Sequence, residues 1–360
     1  MSNCFYSDIN NKYKGFDRGN MILNVDMLHD NNRNCVQDIV ATMAYYLDRR
    51  YELIFLNSLY FSFDKHVFDC TSSIGKALAH VADAESEQAE MRELLADYHG
   101  IQIDVYSDIE FDKVAQLIKE NINNSKIPVV LNMDCFWVPH NPNYQDIHNV
   151  HPIIINGFSG DLQSFYFTDP FFEKKDMILP KAHIMEGFLK TAVVYKKTEE
   201  NYYDMDWKHH ISKSINKLFI KCNNLDAFQQ MELFANCIEN SNTFKNEAED
   251  SDLKHIWLVP LLSNLRDITY GRKLYANSLE FISEIADNEF LPYYTLEVKS
   301  LGDEWDEIRT IITKGLISSN DEMIKRKVPN LIRNLANKEL QLANQLCQLC
   351  SRNNNLSSAN

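Results

Sequence analysis

Apolar residues recur along this chain with two different spacings, one typical of helices and one typical of strands. The changes from one spacing to the other divide the sequence into segments. From Cys35 to about Arg49, apolar residues recur every three or four positions, as on one face of a helix. Residues 101–106 alternate between apolar and polar side chains, which is typical of a strand. The same reasoning predicts a helix over 110–121 and a buried strand over 127–133. It then predicts a hairpin with strands 151–158 and 162–168, a helix over 180–189 and a strand over 191–195.

The segments around this central run are either ambiguous or purely helical. Residues 21–25 predict a short strand, and residues 53–63 fit a strand or a helix. Residues 73–98 predict one or two helices that end at Gly100. Beyond Lys196 the strand patterns stop, and six helices are predicted: 207–222, 225–240, 251–265, 270–286, 290–317 with a break near Gly302, and 321–351.

These elements predict an α+β fold in two domains, which the length of 360 residues also favours. Residues 1–200 are expected to form a helical lobe with a mostly antiparallel sheet behind it. Residues 201–350 are expected to form an all-helical domain, and the polar residues 351–360 a disordered tail.

Composition and charge restrict the classes of partner. With 45% hydrophobic and 24% charged residues, the chain is expected to be globular. Its net charge of −15 argues against nucleic acid or an anionic membrane as the main partner. No stretch approaches 18 apolar residues and no export signal is recognisable, so the eight scattered cysteines are expected to be reduced thiols in the cytoplasm.

Three residues at the ends of predicted elements suggest a cysteine enzyme. Cys35 lies at the start of a helix, where unpaired backbone N–H groups stabilise a thiolate. His151 opens one strand of the predicted hairpin, and Asp169 closes the other, so their side chains are expected to meet. A thiol, an imidazole that shares its proton and a carboxylate that orients the imidazole are what a papain-like enzyme needs.

Each of these residues also has an ordinary structural explanation. Cys35 could be a small core residue, His151 a cap on the sheet, and Asp169-Pro170 a turn that ends a strand. His148 competes with His151 for the role of base. Cys135, His140, His148 and His151 resemble metal ligands, but a single cysteine and irregular spacing make a poor zinc site, so no metal is predicted.

The oxyanion-binding groups are left open by the sequence. The backbone N–H of Cys35 is one natural donor. The side chain of Asn31, Asn32 or Asn34 is a second, although no glutamine precedes the cysteine as it usually does in papain-type enzymes.

Several short motifs resemble the butirosin biosynthesis protein H family, a papain-fold family similar to bacteriocin-processing cysteine peptidases. Asn34-Cys35 before an apolar helix, the run Asp134-Cys-Phe-Trp-Val-Pro139 and Asp169-Pro170 carry the resemblance. It extends over most of the chain through further positions: Tyr144, His148, His151, Gly157 and Leu301-Gly-Asp-Glu-Trp305 in the helical half.

The resemblance implies an acyltransferase of specialised metabolism, similar to the amide-forming enzymes of thiotemplated pathways such as closthioamide biosynthesis. An acyl group would pass from the phosphopantetheine thioester of an acyl or peptidyl carrier protein to the enzyme cysteine, then to a small amine, with no bound cofactor. Cys35 would be the nucleophile, His151 the base and Asp169 its orienting partner. The family positions matched by four further residues imply that they line the substrate pocket: Asn34, Asp134, Tyr144 and His148.

Two other functions use the same residues. A peptidase or amide hydrolase would pass the acyl group to water, and a binding module of the same fold would leave Cys35 with ordinary thiol reactivity. The helical domain has three candidate roles, which are carrier recognition, closure over the acyl chain and homodimer formation. The basic segments 208–221 and 325–333 are candidates for docking an acidic carrier.

Overall fold

The computed structural model describes residues 20–64, 73–79, 84–248, 255 and 258–351. The chain divides into two compact units, each built from two segments. The described residues within 1–51 and 100–199 form the first unit, and those within 52–99 and 200–360 form the second. The fold is α+β, with an antiparallel sheet and a helical C-terminal region, as the patterns predict. Within the described residues, no helix is both long and apolar enough to span a membrane.

The first unit is organised around an antiparallel sheet of seven strands. Its order is β4-β9-β5-β6-β7-β8, and β1 pairs with the end of β6. In this register, Met133 of β5 lies opposite His151 of β6. The strands are β1 (Met21–Ile22), β4 (Ile101–Tyr106), β5 (Val129–Asp134), β6 (Val150–Phe158), β7 (Ser164–Asp169), β8 (Lys174–Pro180) and β9 (Phe188–Lys197).

Three helices accompany this sheet: α1 (Cys35–Tyr46), α4 (Phe111–Glu120) and α5 (Lys181–Gly187). Helix α4 buries Val114 and Ile118 against a sheet face that carries Leu131, Ile153 and Phe165. Helix α1 packs against β6 and is buried along Ile39 to Ala44. The buried middle of α1 therefore holds the helix, with Cys35 as its first residue, against the central strand β6.

Among its described residues, the second unit is helical apart from the short pair β2 (Ser62–Phe63) and β3 (Leu78–Ala79). Phe61, Phe63, Phe234 and Trp305 meet in its core. A 3₁₀ turn spans Glu52–Asn57. The helices are α2 (Ile74–Ala77), α3 (Ala84–Asp97), α6 (Trp207–Phe219), α7 (Ala227–Asn240), α8 (Pro260–Ala286), α9 (Leu291–Ile317) and α10 (Asp321–Ser351).

A buried ion pair joins the long helices of this unit. Glu339 of α10 accepts two hydrogen bonds from Arg272 of α8, at 3.0 and 2.8 Å. It accepts a third from the indole N–H of Trp305 on α9, at 2.7 Å. Arg272 also donates to the backbone oxygen of Tyr60, at 3.1 Å. The pair is therefore saturated with hydrogen bonds, which buried charges require.

The structure differs from the expected domains in one segment. Residues 52–99 were expected in the sheet domain, because the predicted boundary lay near residue 200. They belong to the helical unit, because Leu53, Leu56, Phe61 and Phe63 are buried in its core. The chain passes from one unit to the other at residues 100 and 200, and the apolar pattern of the sequence changes at both points. Sequence patterns do not show, however, which of the two cores an ambiguous apolar segment joins. The expected disordered tail lies, after Ser351, outside the described residues.

Several element predictions are corrected as well. Strand β8 covers residues for which, up to 179, no regular element was predicted. The predicted helices 251–265 and 270–286 are joined in one helix, α8, whose first residue is Pro260; residues 251–254 and 256–257 of the prediction lie outside the described residues. Helix α9 is not broken near Gly302. A Cβ at Gly302 would lie 2.7 Å from the Lys273 side chain and 3.2 Å from the backbone oxygen of Thr269, so this glycine allows α8 and α9 to pack closely.

Loss of the buried carboxylate is expected to destabilise the helical unit. In Glu339→Gln, the Arg272 guanidinium stays buried without its counter-charge, which should cost about 3 kcal/mol of unfolding free energy. Urea unfolding followed by circular dichroism at the helical minimum measures the change. The control is Glu304→Gln, which removes an exposed ion pair with Lys338 at 2.7 Å and should cost less than about 1 kcal/mol. Equal losses in the two variants would contradict this account of the core.

Candidate active site

Cys35 is the first residue of helix α1, and its thiol is half-buried. Asn34 caps the helix: its side-chain oxygen accepts from the N–H of Gln37 at 3.0 Å, and the Gln37 side chain accepts from the N–H of Asn34 at 2.9 Å. The capping box leaves the N–H groups of Cys35 and Val36 at the open end of the helix. This end of the helix carries the positive partial charge that stabilises a thiolate or an oxyanion.

The segment before Cys35 is tied to the helix by the buried Asp38. His29 Nδ1 donates to one carboxylate oxygen of Asp38 at 2.6 Å, and Arg33 forms an ion pair with the other at 2.8 Å. The N–H of Leu28 donates to the Thr42 hydroxyl at 3.0 Å. Burial raises the pKa of Asp38 despite the opposing effect of His29 and Arg33. These contacts fix the direction from which the chain enters α1.

His151 and Asp169 meet as the hairpin prediction requires. His151 lies on β6, Asp169 ends β7, and the two strands are antiparallel neighbours. His151 Nε2 donates to Asp169 Oδ2 at 2.7 Å. The other carboxylate oxygen accepts from the N–H of Phe172 at 3.3 Å. Both side chains are buried, so the contact is shielded from water.

The thiol of Cys35 is the second hydrogen-bond partner of His151. Because Nε2 is engaged with Asp169, Nδ1 is the ring nitrogen that faces the thiol. Burial would lower the pKa of His151, but the hydrogen bonds to Asp169 and Cys35 outweigh it and raise the pKa to about 9. Burial would likewise raise the pKa of Asp169, yet hydrogen bonds from His140 and His151 hold it well below its usual range. His151 and Asp169 therefore form an imidazolium–carboxylate pair beside the thiol, an environment that favours a thiolate in cysteine enzymes.

Aromatic rings close the space around His151. The ring of Phe172 lies 5.1 Å from that of His151, and the ring of Phe171 lies 6.1 Å from it. Phe171 also contacts His29, with the ring centroids 6.0 Å apart. An apolar wall of this kind keeps water from the imidazole and strengthens its ion pair with Asp169.

The other predicted pocket residues build the loop that follows β5. Asp134 accepts from the N–H of Phe136 at 3.1 Å and from His148 Nδ1 at 2.6 Å. Burial opposes the shift, but these hydrogen bonds lower the pKa of Asp134. The exposed His148 ring stacks on Phe136 at 4.4 Å, and Tyr144 stacks on His183 at 6.2 Å.

These contacts distinguish the two candidate bases. His148 is bonded to Asp134, whereas His151 is the histidine bonded to Cys35. Among the described residues, no contact joins Asp134, Tyr144 or His148 to the thiol. Their role as pocket-lining residues stays a prediction.

Two groups near the triad were not anticipated in their observed roles. His140, considered in the sequence only as a poor metal ligand, donates from Nε2 to Asp169 Oδ2 at 2.6 Å. Cys135 is a buried thiol that accepts from Asn141 Nδ2 at 3.2 Å. Burial, with smaller effects of Cys35 and Asp134, raises the pKa of Cys135 to about 11, so it stays protonated. Within the described part of the chain, no group of three or more His, Cys, Asp or Glu side chains is placed to hold a metal ion.

One of the three candidate side-chain oxyanion donors is engaged elsewhere, because the Asn32 amide donates to Asp30 at 2.9 Å. The helix cap uses the oxygen of Asn34, and His29 contacts the oxygen of Asn31, so the amide N–H groups of both stay candidates. The backbone N–H of Cys35 remains at the open helix end, beside the thiol itself. It is the donor that a developing oxyanion on a Cys35-bound carbonyl would meet first.

Comparisons with known proteins leave the site to be interpreted from its own residues. No family model and no curated protein matches this chain. The geometry of Cys35, His151 and Asp169 therefore carries the functional argument.

The thiolate–imidazolium pair predicts an unusual alkylation profile. At pH 6, Cys35 is expected to react with iodoacetamide on the order of ten times faster than Cys222, because an imidazolium partner increases the thiolate fraction. Cys222 is exposed and serves as the internal reference. Above about pH 9, where His151 loses its proton, the difference should disappear. Peptide mapping of the alkylated chain measures both rates.

The matched variant is His151→Ala, in which Cys35 should lose its advantage at pH 6 while Cys222 is unchanged. Equal rates for the two cysteines in the wild-type protein would contradict the ion pair.

A second prediction separates capping from substrate binding at Asn34. Asn34→Ala should lower the unfolding free energy by about 1 kcal/mol, and Asn34→Ser should restore it, because serine is also a good N-cap. Thermal and urea unfolding measure the stability of both variants. A serine variant that is stable but slow to be acylated would assign the Asn34 amide to substrate as well. An alanine variant as stable as wild type would refute the capping role.

Proposed function

We propose that this chain is a papain-like, cysteine-dependent acyltransferase that forms an amide from a carrier-protein thioester and an amine. The observation that carries the proposal is the position of His151, bonded to the Cys35 thiol on one side and to Asp169 on the other. The half-buried Cys35 lies at a helix start that can hold an oxyanion. Thiol, imidazole and carboxylate groups placed together at a helix N-terminus are found mainly at functional sites, which favours an enzyme over a binding module.

The first step is transfer of the acyl group to the enzyme. The Cys35 thiolate attacks the thioester carbonyl, and the C–S bond to the phosphopantetheine sulfur breaks. The leaving thiolate takes the proton that His151 holds, so the products are acyl-Cys35, neutral His151 and the free carrier thiol. One thioester is exchanged for another, and the step needs no nucleotide.

The second step releases the acyl group as an amide. The amine attacks the acyl-Cys35 carbonyl, His151 takes one proton from the amine nitrogen, and the bond to the Cys35 sulfur breaks. The thiolate–imidazolium pair is restored, and the net reaction converts a thioester and an amine into an amide and a thiol. Asp169 keeps its charge throughout and stabilises the imidazolium at the start and end of the cycle.

The motif resemblance supports transfer to an amine rather than to water. It includes Asp134–Pro139, Tyr144 and His148, which form a loop that begins next to the His151 pairing position. The aromatic wall of Phe171 and Phe172 lies against the base that would otherwise activate water. An acyl or peptidyl carrier protein, a small amine and a cytoplasmic setting belong to this proposal.

The basic segments considered for carrier docking are partly neutralised. Lys213 and Lys217 form ion pairs with Glu90, at 3.2 and 2.5 Å. Arg333 forms ion pairs with Glu232 and Glu239, at 2.9 and 2.5 Å. Solvated ion pairs of this kind stabilise helix surfaces weakly and leave less net positive charge for an acidic partner.

An acylation assay tests the proposal. Wild-type protein is mixed with N-acetylcysteamine thioesters of short and medium-length acids, and the peptide that contains Cys35 is examined by mass spectrometry. We expect the mass increase of the acyl group on Cys35 in wild type and its complete loss in Cys35→Ala. Cys222→Ala is the matched control and should be acylated like wild type. Absence of acyl-Cys35 with every thioester would overturn the proposal.

The fate of the acyl-enzyme decides between transferase and hydrolase. Isolated acyl-Cys35 protein is diluted into buffer with and without a panel of primary amines, and amide and free acid are quantified. A transferase should give mainly amide at millimolar amine, with a rate that falls at least tenfold in His151→Ala. Release as free acid regardless of amine would instead assign the peptidase or amide hydrolase class.

A further inference from the structure

One buried histidine contacts the triad without being required by the reaction as described. His140 lies in the segment after β5, and its side chain is almost completely buried. Its Nε2 donates to Asp169 Oδ2 at 2.6 Å, the same oxygen that His151 contacts at 2.7 Å. The rings of Phe167 and Phe172 pack against it, at 5.0 and 6.1 Å between centroids.

The second nitrogen of His140 defines its protonation state. His140 Nδ1 is buried and has no hydrogen-bond partner among the described residues. A buried N–H without an acceptor is costly, whereas an unshared lone pair against aromatic rings is tolerated more easily. The proton therefore lies on Nε2, and His140 is a neutral imidazole that acts only as a donor.

We infer that His140 is a positioning residue that holds the Asp169 carboxylate ionised and correctly turned toward His151. The inference rests on the proposed function, because it assigns His140 to the same Cys35–His151 pair. Asp169 receives three donors: His140 and His151 on one oxygen, and the N–H of Phe172 on the other. Three donors from separate parts of the chain leave a buried carboxylate one orientation.

A neutral donor has a specific advantage at this position. A carboxylate buried beside a single imidazole would be protonated more readily as pH falls, because burial disfavours its charge. A second positive charge would compete with His151 for that carboxylate, whereas neutral His140 stabilises the anion and leaves the charge pairing to His151. Four ionisable groups lie around the His151–Asp169 pair. They are Cys35 on α1, Cys135 after β5, His29 across the Phe171 ring, and Lys174, which is opposite Asp169 in the backbone register of β7 and β8.

The prediction concerns the acidic limb of the Cys35 alkylation profile, which is the fall in alkylation rate as the pH is lowered. Cys35 loses its reactivity at low pH when its thiolate takes up a proton, and the imidazolium of His151, held by Asp169, opposes that uptake. Without the His140 donor, Asp169 is oriented less firmly toward His151 and stabilises the imidazolium less, so Cys35 should lose its reactivity at a higher pH. We expect His140→Leu to move the acidic limb upward by about one pH unit, which is a tenfold change in proton concentration.

The matched variant is His140→Gln, whose side-chain amide can supply an N–H near the position of Nε2. It should keep the acidic limb within about a third of a pH unit of wild type. A His140→Leu protein that unfolds like wild type and shows an unmoved acidic limb would overturn the inference. So would equal shifts in the leucine and glutamine variants, since they would show that packing and not the donor matters.

A measurement on the unaltered protein covers the case in which His140→Leu does not fold. Nitrogen-15 NMR of histidine-labelled protein, with His140→Gln used to assign the resonance, reports which ring nitrogen carries the proton. We expect the ring proton of His140 on Nε2. A proton on Nδ1 would refute the inference.

The two proposals fail in different ways. If Cys35 reacts no faster than Cys222 in wild type, the proposed function fails, while the His140 tautomer can still be measured. If Cys35 is fast in wild type and in His140→Leu at every pH, only the positioning role fails.

Discussion

A single carboxylate oxygen, Asp169 Oδ2, is the point on which the candidate site depends. It is fully buried and accepts hydrogen bonds from His140 and His151 at 2.6 and 2.7 Å. A buried anion persists only where donors replace the water it has lost. The antiparallel pairing of β6 with β7 supplies one donor, and the segment after β5 supplies the other. The pKa of His151 and the state of the Cys35 thiol both follow from this anion.

Local patterns predicted the parts of the site that lie on regular elements. Cys35 at a helix start and the meeting of His151 with Asp169 follow from periodicity and from one hairpin, which are short-range features. His140 could not be predicted in its role, because its contact with Asp169 joins an irregular segment to a strand 29 residues away. The sequence shows a histidine at this position but does not show which residue its side chain contacts.

The element errors have physical causes of the same kind. Strand β8 begins with polar residues and contains Asp176 at a positive φ of 52°, so it lacks the alternation of a regular strand. Helix α8 was divided between residues 265 and 270, although the helix is continuous there. A Cβ at the next glycine, Gly271, would lie 2.2 Å from the backbone oxygen of Ser58. That glycine is needed for close approach and does not end the helix. In both places tertiary contacts outweigh local propensity.

The discontinuous units also affect how the chain is made. The sheet unit is complete once residue 199 has left the ribosome, but residues 52–99 belong to a core that ends at α10. At usual elongation rates, the apolar side chains of Leu53, Phe61 and Phe63 wait roughly 10 to 30 s for α6 to α10 to be synthesised. During that interval they are a natural binding site for a nascent-chain chaperone. Expression of the first 200 residues alone would leave them without a core permanently, and aggregation would follow.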